Sequence, residues 1–386
     1  MHNRTVLQVI PALETGGAEQ TAVDVAAAIV DAGGTAIVAS AGGRLESTVA
    51  ESGARHETLP LDSKNPAVMA LNVERLGRLV QRYGVDLVHA RSRAPAWSAL
   101  AAARRAGLPF VTTYHGAYAQ TNPVKAFYNS VMARGDVVIA NSHFTARLIA
   151  ERHAGAEDRI TVVHRGSDLD GFDPAHIDGN RLANLRSRWG LVDGPPVVLN
   201  LARLTGWKGQ TVLINALKQL EQDGVSEWQA VLAGDDQGRT AYTKSLHARI
   251  EDLGLSDRVR IVGHCDDVAA AMTLSDVVAV ASTEPEAFGR AAVEAQASGT
   301  PVVVTDIGAV RETVLAPPEC SETERTGWRV PPNDSRALAD GLAAGLSLAG
   351  PERDALGARG RAHARAHFSL HAMTDKTLDI YRSLLS

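Results

Sequence analysis

Residues 277–304 decide the fold: Val277-Val-Ala-Val-Ala281-Ser-Thr-Glu284-Pro-Glu286-Ala-Phe288-Gly289-Arg290-Ala-Ala-Val-Glu294-Ala-Gln-Ala-Ser-Gly299-Thr-Pro301-Val-Val-Val304. Both ends, Val277–Ala281 and Pro301–Val304, are apolar and rich in β-branched residues, without alternation. That is the pattern of strands covered on both faces. Ala292–Ala297 between them reads as a helix, and Gly299-Thr-Pro301 turns from it into the second strand. A strand–helix–strand unit implies a right-handed crossover and a parallel sheet.

The alternation extends outward in both directions. Before it, strands are expected at Val197–Leu201, Gln229–Leu232 and Val259–Val262, with helices at Gln210–Gln222 and Ala241–Leu253. Ser335–Ala349 is a further helix after it, and Pro351–Ser386 is helical in pattern with no strand following. A second series fills the first half. Its strands are Thr5–Ile10, Ala36–Ala39, Leu87–His89, Phe110–Thr113, Val137–Ala140 and Ile160–Val163. Its helices are Ala18–Ala32, Leu71–Tyr83, Pro95–Ala106 and Ser142–His153. The series meet in Gly166–Pro196, a stretch rich in Asp, Gly and Pro with one short helix, Arg181–Trp189. Two doubly wound α/β domains are therefore expected, at 1–175 and 190–365, with 366–386 a terminal helix packing back toward the first.

Composition closes off other classes. The 386 residues are 45% hydrophobic and 22% charged, the mix of a soluble globular protein of two or three domains. Aromatics at 4% mean a core built from Ala, Val, Leu and Ile. The net charge of −5 gives no global basic field for nucleic acid. Cys265 and Cys320 cannot make a staple network or a four-ligand zinc site, and suit a reducing compartment. No apolar run approaches the roughly 18 residues of a membrane span. The first residues enter a strand at once, without the charged and apolar regions of a signal peptide. A cytoplasmic protein is expected, with peripheral membrane attachment left open.

In such sheets ligands sit outside the carboxyl ends of the strands. The first strand runs into Gly16-Gly17-Ala18-Glu19 and an Ala-rich helix. Glycines there let a ligand approach the backbone, and the helix start favours an anion. The loop lacks G-x-G-x-x-G, and the second strand ends without an acid for a ribose, which disfavours a nicotinamide or flavin enzyme. Thr113-Tyr114-His115-Gly116 and Asn141-Ser142 end later strands, Ser142 serving either there or as a helix N-cap. Arg203 and Lys208 flank a turn before the helix at 210, where two cations and a helix start suit a diphosphate. The spacing is not that of a Walker A loop. Glu286 and Glu294 lie at and within the start of one helix, where carboxylates can hold sugar hydroxyls while backbone amides hold phosphates. Asp235-Asp236 and Asp266-Asp267 read as a turn and a helix start, so no metal site is expected.

Together these residues resemble glycosyltransferase family 4, nucleotide-sugar enzymes with the GT-B fold of two Rossmann-like domains facing across a cleft. The resemblance rests on Gly16-Gly17-Ala18-Glu19, Tyr114-His115-Gly116, Arg203 with Lys208-Gly209, the E-x7-E phrase Glu286–Glu294 with Phe288-Gly289, Gly299-Thr-Pro301-Val-Val, and Thr326-Gly-Trp-Arg-Val-Pro331. These occur in the family's order over nearly the whole chain. One departure is His164-Arg165-Gly166-Ser167-Asp168, where the family has Pro-Asn-Gly-x-Asp. The resemblance implies a retaining transfer with neither metal nor cofactor beyond the nucleotide-sugar co-substrate. Glu286 would contact the donor sugar, and the Phe288, Gly289 and Arg290 amides its phosphates. Glu294 would hold the ribose, and Arg203 and Lys208 the departing diphosphate. His115 would stand near the reacting carbon, and Gly17 would line the cleft.

The acceptor is read from the first half. His89-Ala-Arg91-Ser-Arg93 follows a strand, and Arg91 and Arg93 would bind an acidic or phosphorylated glycan, such as a lipopolysaccharide core or a lipid-linked saccharide. Arg75, Arg78 and Arg82 read as a solvated helix face. Tyr118, Lys125, Phe127 and Tyr128 in Ala117–Arg134 would form a lid or rest on a membrane. The expected function is hexosyl transfer in surface-glycan synthesis. The alternatives are a nucleotide-sugar epimerase, which needs acid–base residues not identifiable here, and an inactive nucleotide-sugar-binding protein. A phosphorylase of similar plan would be much longer and would need a pyridoxal lysine.

Overall fold

The computed structural model describes residues 1–14, 17–116, 118 and 120–386. The chain divides into two compact units, one of Met1–Gly166 with Leu370–Ser386, the other of Ser167–Ser369.

Unit 1 holds a sheet of β1 (Thr5–Val9), β2 (Thr35–Ser40), β3 (Arg55–Thr58), β4 (Leu87–Ala90), β5 (Phe110–Tyr114), β6 (Val137–Ala140) and β7 (Ile160–Val162). The order is β3-β2-β1-β4-β5-β6-β7, with every pair parallel. Unbroken apolar runs follow from burial on both faces. Val6 packs with Val25 and Ile29 of the helix Gly17–Asp31, while Leu7 packs on the other side with Leu76, Ala99 and Ala103. The helix Leu370–Leu384 completes the first face with Met373, Leu378 and Tyr381.

Unit 2 repeats the plan with β8 (Val197–Leu201), β9 (Gln229–Ala233), β10 (Val259–Gly263), β11 (Val277–Val280), β12 (Val302–Thr305) and β13 (Trp328–Val330). Their order is β10-β9-β8-β11-β12-β13, again all parallel. The two strands absent from the sequence reading, β3 and β13, lie at sheet edges and are four and three residues long. Arg-His-Glu-Thr in β3 is mostly polar, as an edge strand can be, and so carries no apolar signal. Short helices at Glu46–Glu51, Pro123–Ser130 and Val310–Thr313 also lie outside that reading, whereas Val268–Leu274 begins at the expected helix start Asp266-Asp267.

Residues 167–189 fold with unit 2. Leu185, Trp189 and Leu191 share a cluster with Val197, Ala271 and Met272, while Leu169 packs with Phe288 and Phe368. The helical tail is two helices, Gly350–Phe368 and Leu370–Leu384, broken at an extended Ser369. The break separates the units in sequence, because Phe368 is buried in unit 2 and Met373 in unit 1. No helix of the described residues is long and apolar enough to cross a membrane.

The C-terminal helix also satisfies a buried polar group. His89 on β4 is fully buried, its Nδ1 2.5 Å from Tyr381 Oη and its Nε2 2.7 Å from Thr113 Oγ1. Burial, then the nearby Arg91 and His115, hold the His89 imidazole well below its ordinary pKa. The folded protein therefore refuses a proton that the unfolded chain accepts below about pH 6.5. Stability contributed by neutral His89 is intact at pH 7 and lost as pH falls, by up to about 1.4 kcal/mol per pH unit for one such group. Urea midpoints at pH 7 and pH 5.5 should fall more for the wild type than for His89→Asn. Identical slopes would remove His89 as the source.

Candidate functional site

In unit 2 the strand order reverses between β8 and β11, so the loops leaving these strands lie side by side. The Thr283 N–H donates to the Trp207 carbonyl at 2.8 Å, pinning one loop to the other. Gly209 permits the approach. Its φ is +70°, and a Cβ there would strike the Ala281 carbonyl oxygen. The result is an ion pair between Lys208 Nζ and Glu286 Oε1, with side-chain exposures of 16% and 10%. Ser282 Oγ donates to the same Glu286 oxygen at 2.6 Å. The Glu286 carbonyl accepts from the Ala309 N–H at 2.8 Å, fixing the loop from β12's side. Lys208 also stands 4.2 Å from the Trp207 ring centroid.

Gly289, at φ +86°, opens the helix Arg290–Ala297. Glu294 is buried inside it and accepts from Arg290 Nη2 at 2.7 Å and Nε at 3.1 Å. Phe288 is buried, edge-on to Phe368 at 5.4 Å between ring centroids, so its side chain is spent on packing and only its backbone remains for a ligand. Arg203 is exposed, and its guanidinium makes no ion pair with the described residues. Its carbonyl accepts from Gln210 at 3.0 Å. Lys208, Glu286, Gly289, Arg290 and Glu294 thus gather at the carboxyl end of one sheet. The arrangement pairs a cation with an acid that can hold hydroxyls, beside a helix start that favours phosphate oxygens. The acid pairs elsewhere are otherwise engaged. Asp235 and Asp236 accept from the Gln237 and Gly238 N–H groups at 2.6 and 2.8 Å, and Asp267 caps the helix Val268–Leu274 and binds Arg181.

Unit 1 has its own switch point between β1 and β4, where the Arg91 N–H donates to the Val9 carbonyl at 3.0 Å. Arg91 is only 2% exposed and donates from Nε to Gln8 at 2.6 Å. Burial pulls its pKa down, opposed by Tyr381 and Asp24. Arg91, His115, Asn141 and Arg165 line one small, partly open pocket, joined by Thr21 and Thr377. Burial, then Arg165 and Arg91, hold the His115 pKa well down, so its ring is neutral at pH 7. Arg93 takes another course. It opens the helix Arg93–Ala106, donates to Asn129 at 2.9 Å and sits 4.1 Å from the Tyr118 ring centroid. Ser142 is the N-cap of the helix His143–Arg152, accepting from the Thr145 N–H at 3.0 Å. Gly17 starts the helix Gly17–Asp31, and a Cβ on it would come within 2.6 Å of Arg165 Cζ. Gly16, Ala117 and Ala119 lie outside the described residues.

Sequence reasoning missed Arg165, Asn141's neighbourhood with Arg91, and Tyr381. The available signals were the Arg165 departure from the family's interdomain turn and Asn141 at a strand end. Tyr381 left no signal. Both cysteines are free, and burial pushes the Cys265 thiol up to about 11.

Residues 183–363 match the family described as glycosyl transferases group 1, and residues 15–170 match glycosyltransferase family 4. A D-inositol 3-phosphate glycosyltransferase of Xylanimonas cellulosilytica is 34% identical over 254 residues, 65% of this chain and 58% of that protein. The chain spans a little over half the length of such curated relatives. A glycosyltransferase from Rickettsia africae ESF-5 superposes with a TM-score of 0.91 at 34% identity, covering 100% of both chains. Anabaena Alr3699/HepE in complex with UDP gives a TM-score of 0.84 at 25% identity, covering 98% of this chain and 100% of that one. Two parallel sheets with these strand orders, matched over both halves, are those of the GT-B fold, and the chain belongs to glycosyltransferase family 4.

Proposed function

We propose that this protein is a retaining, metal-independent hexosyltransferase. It takes a hexose from a UDP- or GDP-linked sugar and passes it to a glycan or glycolipid in lipopolysaccharide or other surface-polysaccharide synthesis. The observation that carries the reading is the Lys208–Glu286 pair beside the helix start at Gly289–Arg290. The solved Anabaena structures with UDP and with UDP-glucose support the choice of donor class.

The donor diphosphate replaces Glu286 as a partner of Lys208, with Arg203 adding a second cation. Glu286 turns to the sugar hydroxyls and Glu294 to the ribose. As the bond from the anomeric carbon to the diphosphate breaks, negative charge grows on the leaving oxygen, where preorganised cations and helix amides stabilise it. The acceptor hydroxyl attacks the face the diphosphate leaves and gives its proton to a diphosphate oxygen, so configuration is retained without an enzyme nucleophile. His115 is assigned to the acceptor side of the reaction, with Gly17 contributing its backbone there. The diphosphate's charge is met by side chains, so no metal is needed.

On the acceptor side, Arg91 supports an acidic or phosphorylated saccharide, and the Xylanimonas relative is named for a phosphorylated inositol. Free thiols suit a cytoplasmic enzyme. Exposed Val124 and Phe127, at 78% and 61%, suit contact with the inner face of the membrane.

Incubation with UDP-, GDP- and ADP-sugars tests the reading. Acceptor-dependent release of the nucleoside diphosphate, with the product anomer matching the donor, is expected, and EDTA should leave the rate unchanged. Sugar interconversion without acceptor would mean epimerisation. Loss in EDTA restored only by Mg²⁺ or Mn²⁺ would reveal a missed metal site.

A further inference from the structure

The unit 1 pocket has the make-up of an anion site. Two guanidiniums, Arg91 and Arg165, line it with neutral His115 and the amide of Asn141, and no carboxylate of the described residues is part of the lining. Arg91 is 2% exposed, yet its Nη2 has no hydrogen-bond partner among the described residues. Nor do His115 Nε2 and Asn141 Oδ1. Three buried polar atoms without partners at one pocket are costly unless a ligand completes them. The inner side of Arg91 is held by Gln8 at 2.6 Å and by Tyr381, which His89 fixes in turn. Arg165 lies against Gly17 at the start of a 15-residue helix, whose first turns bring Thr21 to the pocket. That helix start adds donors of the same sign.

We propose that this pocket binds a phosphate monoester carried by the acceptor, gripped by Arg91 and Arg165 with His115 Nε2 donating. Tyr381 acts as a positioning residue behind Arg91. The inference rests on the transferase reading and narrows its acceptor. A phosphate monoester carries about −1.5 to −2 charge at pH 7, which matches two guanidiniums better than a carboxylate does. Guanidinium forks suit its paired oxygens. Asn141 Oδ1 then accepts from a neighbouring sugar hydroxyl.

The test is calorimetry on the full chain, using glucose 6-phosphate, glucose and glucuronate in the presence of saturating UDP. Glucose 6-phosphate should bind at least about 10-fold more tightly than either other sugar. Arg165→Ala and Arg91→Lys should each erase at least about 10-fold of that, while Lys208→Ala should not. Tyr381→Phe should weaken binding by about 3-fold, and more added salt should weaken it further in the wild type. Arg165 is only half-buried, so its variant keeps the test open if changes at Arg91 disturb folding. Equal binding of glucose and glucose 6-phosphate would overturn the proposal, as would unchanged binding in Arg165→Ala. Glucuronate binding as tightly as the phosphate would overturn the choice of phosphate. Failure of the donor reading looks different: UDP, GDP and ADP would give no heat, whatever the phosphate result.

Discussion

Lys208→Ala should lower kcat/KM by about 100-fold or more. A single group that stabilises charge on a leaving atom is commonly worth roughly 3–4 kcal/mol in the transition state. Lys208 is held in place by the 3₁₀ turn Gly206–Lys208, by Gly209 and by the contact with Trp207. Arg203→Ala should act in the same direction, since its exposed guanidinium is not committed to an ion pair with the described residues. Steady-state kinetics with the donor found in the nucleotide-sugar panel decide the matter. Near-normal transfer by both variants would remove the diphosphate assignment. Because Lys208 and Glu286 are paired, Lys208→Met and Glu286→Gln should not add. Each single change strands a mostly buried charge, and the double variant relieves that strain.

The two glutamates should separate binding from turnover. Glu286→Gln is expected to cut kcat by about 100-fold while the free nucleoside diphosphate still binds, because a sugar contact matters most as the bond breaks. Glu294→Gln should instead weaken the nucleotide itself by about 10-fold, since a ribose contact is made in ground and transition states alike. Glu294 holds Arg290 at 2.7 Å, so its replacement also loosens a cation at the helix start. Calorimetry with the free diphosphate distinguishes the two, and equal losses of affinity would refute the division.

Much of the fold was legible because parallel strands buried on both faces carry long apolar runs. Helix Gln210–Gln222 matches its expected bounds, and Ser142 and Asp267 are caps. Periodicity speaks only of local structure, however. Lys208 and Glu286 are 78 residues apart and meet because β8 and β11 are neighbours, which no local pattern announces. Arg91 and Arg93 look like a pair in sequence. Yet one follows a strand into the pocket, while the other opens a helix and turns to Tyr118. Tyr381 reaches His89 across 292 residues, on a helix whose own pattern says nothing about its partner. Phe288 sits in the most recognisable phrase of the chain, but it serves the packing behind the site.

The return of Leu370–Ser386 to the first unit has a consequence for synthesis on the ribosome. Unit 2 is one continuous segment and can close as soon as it has emerged. Unit 1 begins first and finishes last: Met1–Gly166 must wait for on the order of 200 residues to be made, roughly 10–40 s at about 5–20 residues per second. Throughout that interval the surface that Met373, Leu378 and Tyr381 will cover stays wet, and Arg91 lacks the hydroxyl behind it. The nascent chain should therefore hold chaperones on its first half until Leu370–Ser386 has emerged, and a stop codon at position 370 should leave a sound second unit joined to an aggregation-prone first one.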